Sequence, residues 1–363
     1  MTKKKILIAT GGTGGHIFPA LSLAKNLIKN YSVTLTSDKR GLKYLNDYKN
    51  LNLIKLPSSP LIKKNIYTFL ISLFTIIYSI IKSFLFLLIN RPSLVFGMGG
   101  YSSFPVCTAA FLLRIKFVVY ENNLILGKAN KYLLPLSNKL FVSYNELNNV
   151  PEKNKNKVFE IGNIIREEII NHKKKDIQND EFEKLNILVL GGSQAAKAFA
   201  HELPQIFAKL KKSNIPIKVF QQCQIEQTEN LSKFYSNTKI DHETFNFTKK
   251  ITDYYSKSNL VITRAGASAL GELINLNIPF ISIPLPTSAD DHQLKNAEFY
   301  EKKGYGYLIK EKDIKLKLFD LIKLIYNEKT IIKKIISNQR QYSDKNIFSN
   351  LNIQIEKILN EKN

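Results

Sequence analysis

The sequence predicts an α/β protein built from two parallel-sheet halves, and three observations carry that prediction. Short apolar runs alternate with helix-like stretches along the chain. Twice a buried run turns through glycines into a helix, at Gly11-Gly12-Thr13-Gly14-Gly15-His16 and at Gly191-Gly192-Ser193-Gln194. A polar, charged zone after Gly162, including His172-Lys173-Lys174-Lys175 and Gln178-Asn179-Asp180-Glu181, parts the two series. Such an elbow aims backbone N–H groups beyond the strand end, where a phosphate can sit. Two elbows imply two Rossmann-like domains facing a cleft, and a length of 363 residues agrees with two domains.

The elements follow in order. Residues 6–9 are apolar and end in glycines, so they read as a strand; the run is too short for a secretion leader despite Lys3-Lys4-Lys5 before it. A helix over 18–29 follows, then strands over 32–36 and 53–56. A long helix spans 66–89. A strand over 94–96 leads to a helix over 104–113, and strands over 117–120 and 139–142 close the first half. The second half places strands at 187–190, 219–221, 260–263 and 280–283. Its helices begin near Ala195, Ser268 and His292, and a Lys-rich, helix-periodic tail runs from Asp313.

The stretch 66–89 holds a single charge, Lys82. As a helix it is roughly 36 Å long, enough to span a bilayer. However, Thr68, Ser72, Thr75, Ser79 and Lys82 recur at spacings of four, three, four and three, which places them on one stripe. A transmembrane span would also break the alternation on either side. The pattern predicts a crossover helix whose outer apolar surface, with Phe74 and Phe84, dips into a membrane. Lys63, Lys64 and Arg91 would meet anionic headgroups at its ends.

The net charge of +23, from 53 basic and 30 acidic residues, suits an anionic membrane surface or an anionic substrate. The lysines are scattered and no nucleic-acid motif occurs, so nucleic acid is not an expected partner. The two cysteines, Cys107 and Cys223, lie far apart without a CxxC spacing, which fits a reducing compartment and no zinc site. No Asp-x-Asp pair is present to hold a divalent ion on a diphosphate, so no metal cofactor is expected.

The first elbow is neither a dinucleotide fingerprint, whose third glycine is replaced by Ile17, nor a Walker loop, since no Gly-Lys-Ser/Thr follows. Asp38, after the second strand, is the remaining cue for an NAD(P)-dependent oxidoreductase. His16 would stand at a helix start near a strand's C-terminal end, a place that favours a neutral imidazole able to act as a base.

Continued through Ile17-Phe18-Pro19-Ala20, this run closely resembles the signature of the MurG family of cell-wall glycosyltransferases. Five more motifs in order carry the resemblance across nearly the whole chain. Gly97-Met98-Gly99-Gly100-Tyr101-Ser102 is similar to the family's second glycine motif. Tyr120-Glu121-Asn122-Asn123 stands where the family has His-Glu-Gln-Asn, and Gly162-Asn163-Ile164-Ile165-Arg166 where it has Gly-Asn-Pro-x-Arg. Gly191-Gly192-Ser193-Gln194-Ala195-Ala196 differs from the family at Ala195, which replaces a glycine. Arg264-Ala265-Gly266-Ala267-Ser268-Ala269-Leu270-Gly271-Glu272 and Asp290-Asp291-His292-Gln293, with Asn296-Ala297, complete the set.

The resemblance implies a GT-B arrangement. A domain of residues 1–162, with a helix over about 344–363 packing back on it, would face acceptor and membrane, and a domain of 163–343 would bind UDP-GlcNAc. It implies an inverting transfer of N-acetylglucosamine from UDP-GlcNAc to the C4 hydroxyl of the muramyl sugar of lipid I, giving lipid II, at the cytoplasmic face of the bacterial inner membrane. Other cell-wall synthesis or division proteins would be possible partners. His16 would be the catalytic base, with Glu121 in reserve. Gly99, Gly100 and Tyr101 would lie on the acceptor side. Thr13, Gly14, Gly15, Asn123, Arg166, Ser193, Thr248, Ala267, Ser268, Ala269, Leu270, Gly271, Glu272 and Gln293 would contact the donor, with Arg166 and Ser193 at its diphosphate and Glu272 at its ribose. A glycolipid synthase with a diacylglycerol acceptor would share the fold and the lipid-facing helix.

Overall fold

The computed structural model describes all residues except 1–2, 46–47, 49–50, 61–64, 172–182, 193–196, 249 and 362–363. The chain divides into two compact units, Met1–Arg166 with Asp344–Asn363, and Glu167–Ser343.

In the first unit the order is β1 (Lys5–Ala9), α1 (Gly14–Leu27), β2 (Ser32–Ser37), α2 (Lys39–Leu45), β3 (Asn52–Lys55), α3 (Ile66–Asn90), β4 (Leu94–Gly97), α4 (Gly100–Leu112), β5 (Phe117–Glu121), α5 (Lys128–Leu133), β6 (Lys139–Val142) and β7 (Val158–Glu160). The strands form one sheet in the order β3-β2-β1-β4-β5-β6-β7, and every pairing is parallel. The second unit contains α6 (Glu167–Ile170), β8 (Leu185–Leu190), α7 (Lys197–Lys212), β9 (Ile217–Gln222), α8 (Thr228–Asn237), β10 (Asp241–Phe245), α9 (Ile251–Lys257), β11 (Leu260–Thr263), α10 (Ala267–Asn275), β12 (Phe280–Ser282), α11 (His292–Lys302), β13 (Tyr307–Leu308), α12 (Ile314–Asn327) and α13 (Lys329–Arg340). Its parallel sheet runs β10-β9-β8-β11-β12-β13. The last helix, α14 (Ile347–Asn360), belongs to the first unit, where Lys116 Nζ donates to the Ile358 carbonyl at 2.9 Å.

Each sheet changes direction once. β1 lies between β2 and β4, and β8 lies between β9 and β11. Ligands of open parallel sheets bind outside the strand C-termini at this switch point. In both units the glycine elbow leaves the first strand of the switch pair, so the fold puts both elbows at the place made for a ligand. The central strands are buried on both faces. In the second unit Ile187, Val189, Val219, Leu260 and Ile262 pack with Phe199, Phe207 and Tyr235. In the first, Leu7, Val95, Phe117 and Val119 pack with α4 and α5 side chains.

Several boundaries differ from expectation. α1 starts at Gly14 instead of position 18, and α4 at Gly100 instead of 104. In both, glycines counted as turn residues form the first helical turn, whose amides point back along the helix axis. β7, β10 and β13 were not anticipated. All three lie at or next to a sheet edge, and β10 reads Asp-His-Glu-Thr-Phe, polar as edges commonly are.

α3 is an inverted amphipathic helix. Its buried residues are Ser72, Ser79, Ser83 and Leu87, while Ile66, Phe74 and Ile89 are 73%, 69% and 83% exposed. The serines of the stripe, Ser72 and Ser79, face inward with Ser83, on the side where α3 packs on α4; Thr68 and Thr75 are half-buried, and Lys82, expected on the same stripe, is exposed. Two of the buried hydroxyls are bonded within the helix: Ser72 Oγ donates to the Phe69 carbonyl at 2.8 Å and Ser79 Oγ to the Thr75 carbonyl at 2.6 Å, while Ser83 Oγ is buried without a hydrogen-bond partner among the described residues. Asn65 caps its start by accepting from the Thr68 N–H at 2.8 Å. Phe84, expected on the outer face, is half-buried and packs into the core of the first unit. Lys63 and Lys64 lie outside the described residues. Ser79→Leu forces an extra side chain into this close contact and should destabilise the protein by about 1–3 kcal/mol. Urea denaturation measures it, and an unchanged midpoint would show that the seam has room to spare.

Candidate functional site

In the first unit, the two glycine turns meet at an imidazole. His16 is the third residue of α1, whose first turn closes on the Thr13 carbonyl through the amides of His16 and Ile17. Its Nδ1 lies 3.0 Å from the Met98 carbonyl oxygen. A carbonyl only accepts, so Nδ1 carries a proton, and the neutral form of the ring has its lone pair on Nε2. The ring rests on the second glycine turn, where a Cβ built on Gly100 would lie 3.2 Å from His16 Nε2 and one on Gly99 3.4 Å from His16 Cε1. Gly99 and Gly100 have φ of +80° and +71°, which non-glycine residues adopt only with strain.

Asp38, a residue with no assigned role in the expected transferase, ties the turns together. Its Oδ1 accepts from the amides of Gly12 at 3.0 Å and Gly41 at 2.8 Å. Its Oδ2 lies 3.4 Å from the hydroxyls of Tyr101 and Ser102. Burial works against its ionisation. The Gly12 and Gly41 amides and the Arg40 guanidinium outweigh that and hold the carboxyl below the usual range. An oxidoreductase would need this carboxylate for a ribose, yet it is buried against its own glycine turn. Arg40 lies over the Tyr101 ring at 5.0 Å, and a Cβ at Gly11 would collide with Ser102. A carboxylate directly after the strand preceding the Gly41 turn was the available signal for this role.

Glu121, the expected reserve base, ends β5. It is 4% exposed and accepts four hydrogen bonds. Oε1 takes the Asn123 N–H and Nδ2–H, at 3.1 and 3.0 Å, and Oε2 takes the Gly127 N–H and Asn130 Nδ2–H, at 2.9 and 3.0 Å. A carboxylate offers about four acceptor positions. All are occupied, so Glu121 shapes the 121–130 loop and holds Asn123 in place. Asn130 also donates to the Tyr120 carbonyl at 2.9 Å, and that carbonyl and Asn130 Nδ2 lie under Gly99. The three motif loops of this unit are therefore one connected rim. Arg166 lies 6.0 Å from the ring of Phe18, two residues beyond His16.

Two departures from the family pattern explain each other. Ile164 is fully buried and, unlike proline, carries an N–H that needs an acceptor. The Tyr120 hydroxyl, standing where the family has histidine, accepts that N–H at 2.9 Å. The same hydroxyl lies 3.0 Å from Asn122 Oδ1 and 2.9 Å from Ser143 Oγ. Burial raises the Tyr120 phenol, so it stays protonated. Asn163 is held beside it, with its N–H on Asp344 Oδ1 at 2.9 Å and its Nδ2–H on the Tyr144 hydroxyl at 2.9 Å.

In the second unit, Gly192 has φ of +78°, while Ser193, Gln194, Ala195 and Ala196 lie outside the described residues. The turn from β11 into α10 is braced from three sides. Arg264, 8% exposed, donates to the Ile283 and Pro284 carbonyls at 3.2 and 3.3 Å, pairs with Glu311 and lies 4.6 Å over Phe199. Asn296 Nδ2 donates to the Ala265 carbonyl at 3.1 Å, and the Leu285 N–H donates to Gln293 Oε1 at 3.0 Å. Ala267 opens α10, followed by half-buried Ser268 and Ala269. Leu270 is fully buried, so its side chain belongs to the core and only its backbone can serve a nucleotide. Gly271 and Glu272 are buried one turn further on. Thr248 Oγ1 accepts from the Lys250 N–H at 3.0 Å, ahead of α9. Among the described residues no group of three or more His, Cys, Asp or Glu side chains could hold a metal ion.

Tyr120→Phe leaves the buried Ile164 N–H without its acceptor and should cost about 1–3 kcal/mol. Adding Ile164→Pro removes the donor, so the double variant should lose less than the sum of the single changes. A denaturant cycle over the four proteins reads the coupling, and strict additivity would show the positions to be independent.

Models of two domains match the chain: the glycosyltransferase family 28 N-terminal domain over residues 6–142 and the glycosyltransferase family 28 C-terminal domain over 186–351. A UDP-N-acetylglucosamine–N-acetylmuramyl-(pentapeptide) pyrophosphoryl-undecaprenol N-acetylglucosamine transferase from Pelagibacter ubique is 38% identical over 362 residues, covering 99% of both chains. A protein of the same name from Rickettsia felis is 36% identical over 335 residues, covering 88% of this chain and 91% of its own. The crystal structure of MurG from Acinetobacter baumannii superposes with a TM-score of 0.76 at 23% identity, covering 98% of this chain and 99% of that one.

Proposed function

The chain belongs to the MurG family of glycosyltransferases, within glycosyltransferase family 28, and we propose how its own residues carry that family's reaction. It is a UDP-GlcNAc-dependent transferase that moves N-acetylglucosamine to lipid I, forming lipid II in peptidoglycan synthesis. The first unit takes the acceptor and the second takes UDP-GlcNAc.

His16 is the base. Its Nε2 removes the proton from the C4 hydroxyl of the muramyl sugar, the oxygen attacks the anomeric carbon, and UDP leaves with the electrons of the broken bond, inverting the centre. The observation that carries this assignment is the Nδ1 contact with the Met98 carbonyl, which commits one ring nitrogen as donor and gives Nε2 the lone pair. The occupied acceptor positions of Glu121 favour His16 over it. Arg166, Ser193 and the helix-start amides at Thr13, Gly14 and Gly15 and at Ala267, Ser268 and Ala269 offset the charge growing on the diphosphate, without a metal. Asn123 and Gln293 contact the donor sugar, Glu272 the ribose, and Thr248 the nucleotide's base end. Gly99, Gly100 and Tyr101 let the acceptor pyrophosphate approach closely.

The enzyme works at a membrane surface, on its cytoplasmic face. Among the described residues α3 is long and apolar enough to cross a bilayer, yet its hydroxyl seam packs on α4 and its apolar residues face out. This supports a helix lying in the interface, with Lys82 and Arg91 exposed beside anionic headgroups.

With labelled UDP-GlcNAc, label should pass to lipid I and not to diacylglycerol. In that assay His16→Ala should lower kcat by about 100-fold or more while UDP-GlcNAc affinity changes little. Wild-type turnover would eliminate His16 as the base. Phe74→Glu replaces an apolar contact of about 1.5–3 kcal/mol with a charge and should weaken co-sedimentation with anionic vesicles at least tenfold. Unchanged binding would place the membrane contact elsewhere.

A further inference from the structure

The strongest unassigned contact lies behind the donor-binding helix. Glu272 sits on α10 with 5% of its surface exposed, and Tyr255, on α9, is 4% exposed. The Tyr255 hydroxyl donates to Glu272 Oε2 at 3.1 Å. Both residues belong to the second unit, so the pair is part of one compact body.

We propose that Tyr255 is a positioning residue for nucleotide recognition: its phenol holds the Glu272 carboxylate in the plane that accepts both hydroxyls of the donor's ribose. The inference rests on the reading of Glu272 as the ribose acceptor. A glutamate side chain turns about three bonds, and a carboxylate meets two neighbouring hydroxyls only when both oxygens face them. Tyrosine has two side-chain torsions and a rigid ring, so a buried tyrosine fixes the point to which it donates. A carboxylate offers about four acceptor positions, and the Tyr255 hydroxyl takes one on Oε2. A buried carboxylate also needs a donor when the site is empty, and Tyr255 supplies one without competing for the ligand's place.

The position carried no signal in the sequence. Tyr255 lies seventeen residues before Glu272, outside every motif, and reaches it because α9 and α10 flank β11.

The test compares UDP with 2′-deoxy-UDP by titration calorimetry on the full chain, in wild type, Tyr255→Phe and Glu272→Gln. Tyr255→Phe keeps the buried ring and removes only the hydroxyl. It should narrow the preference for UDP over 2′-deoxy-UDP by about tenfold, and raise KM for UDP-GlcNAc with kcat nearly unchanged. A purely structural contact would lower the melting temperature and weaken both nucleotides equally, leaving the ratio at its wild-type value; that result overturns the inference. If Glu272→Gln also keeps the wild-type ratio, the ribose reading itself fails and the positioning role falls with it. If Glu272→Gln loses the preference while Tyr255→Phe retains it in full, the ribose reading stands and only the role of Tyr255 is refuted.

Discussion

The site in the first unit depends on one contact, an imidazole laid on two glycines. His16 keeps its ring flat against the Gly99–Gly100 turn because nothing projects from that turn, and its Nδ1 proton goes to the carbonyl of the residue just before it. The backbone there has left-handed φ values that no β-branched or bulky residue tolerates. A side chain on Gly100 would displace the ring, and a displaced ring would lose the hydrogen bond that sets its tautomer. Asp38 pins the first turn from one side, and the Tyr120 carbonyl with Asn130 supports the second from the other. The carboxylates of this rim, Asp38 and Glu121, are held by hydrogen bonds from the rim itself.

The departures from the family pattern illustrate how such a rim changes without collapsing. An isoleucine for proline adds a buried N–H, which by itself would be a defect. A tyrosine for histidine extends a hydroxyl to that same N–H. The isoleucine alone would leave a donor unmet, and the tyrosine, whose hydroxyl has other partners of its own, meets it. Asn122, a third departure, joins the same network by accepting from Ser143 Oγ at 2.9 Å.

The central strands of both sheets, the helices α1, α3, α4, α10 and α11 and the glycine turns were legible in the sequence because buried strands are continuous apolar runs and glycines mark where they turn, whereas the helices α2, α5, α6, α8 and α9 were not. The strands that escaped were short or polar and lay at or near the edges, where half the backbone faces solvent and hydrophobic patterning weakens. The site residues named from the sequence, Thr248 apart, all stand in motifs. The partners that hold Asp38, Arg264 and Tyr255 come from elements distant in sequence, such as Glu311 for Arg264. Periodicity and spacing carry no trace of those. The hydrogen bonds that Glu121 accepts are equally invisible in the sequence, since the donors that occupy it come from Asn123, Gly127 and Asn130 around a loop whose path only the fold reveals.

The serine seam of α3 carries a consequence for how that helix is held. Most surface helices adhere to their protein because water is driven from an apolar stripe, and they would lose that force in oil. α3 presents serines to α4, with the Ser72 and Ser79 hydroxyls already bonded to its own carbonyls, and gains from close backbone approach and dispersion instead. These forces are indifferent to what lies on the far side. The helix can exchange an aqueous neighbour for acyl chains on its outer face without any change in the strength of its attachment within.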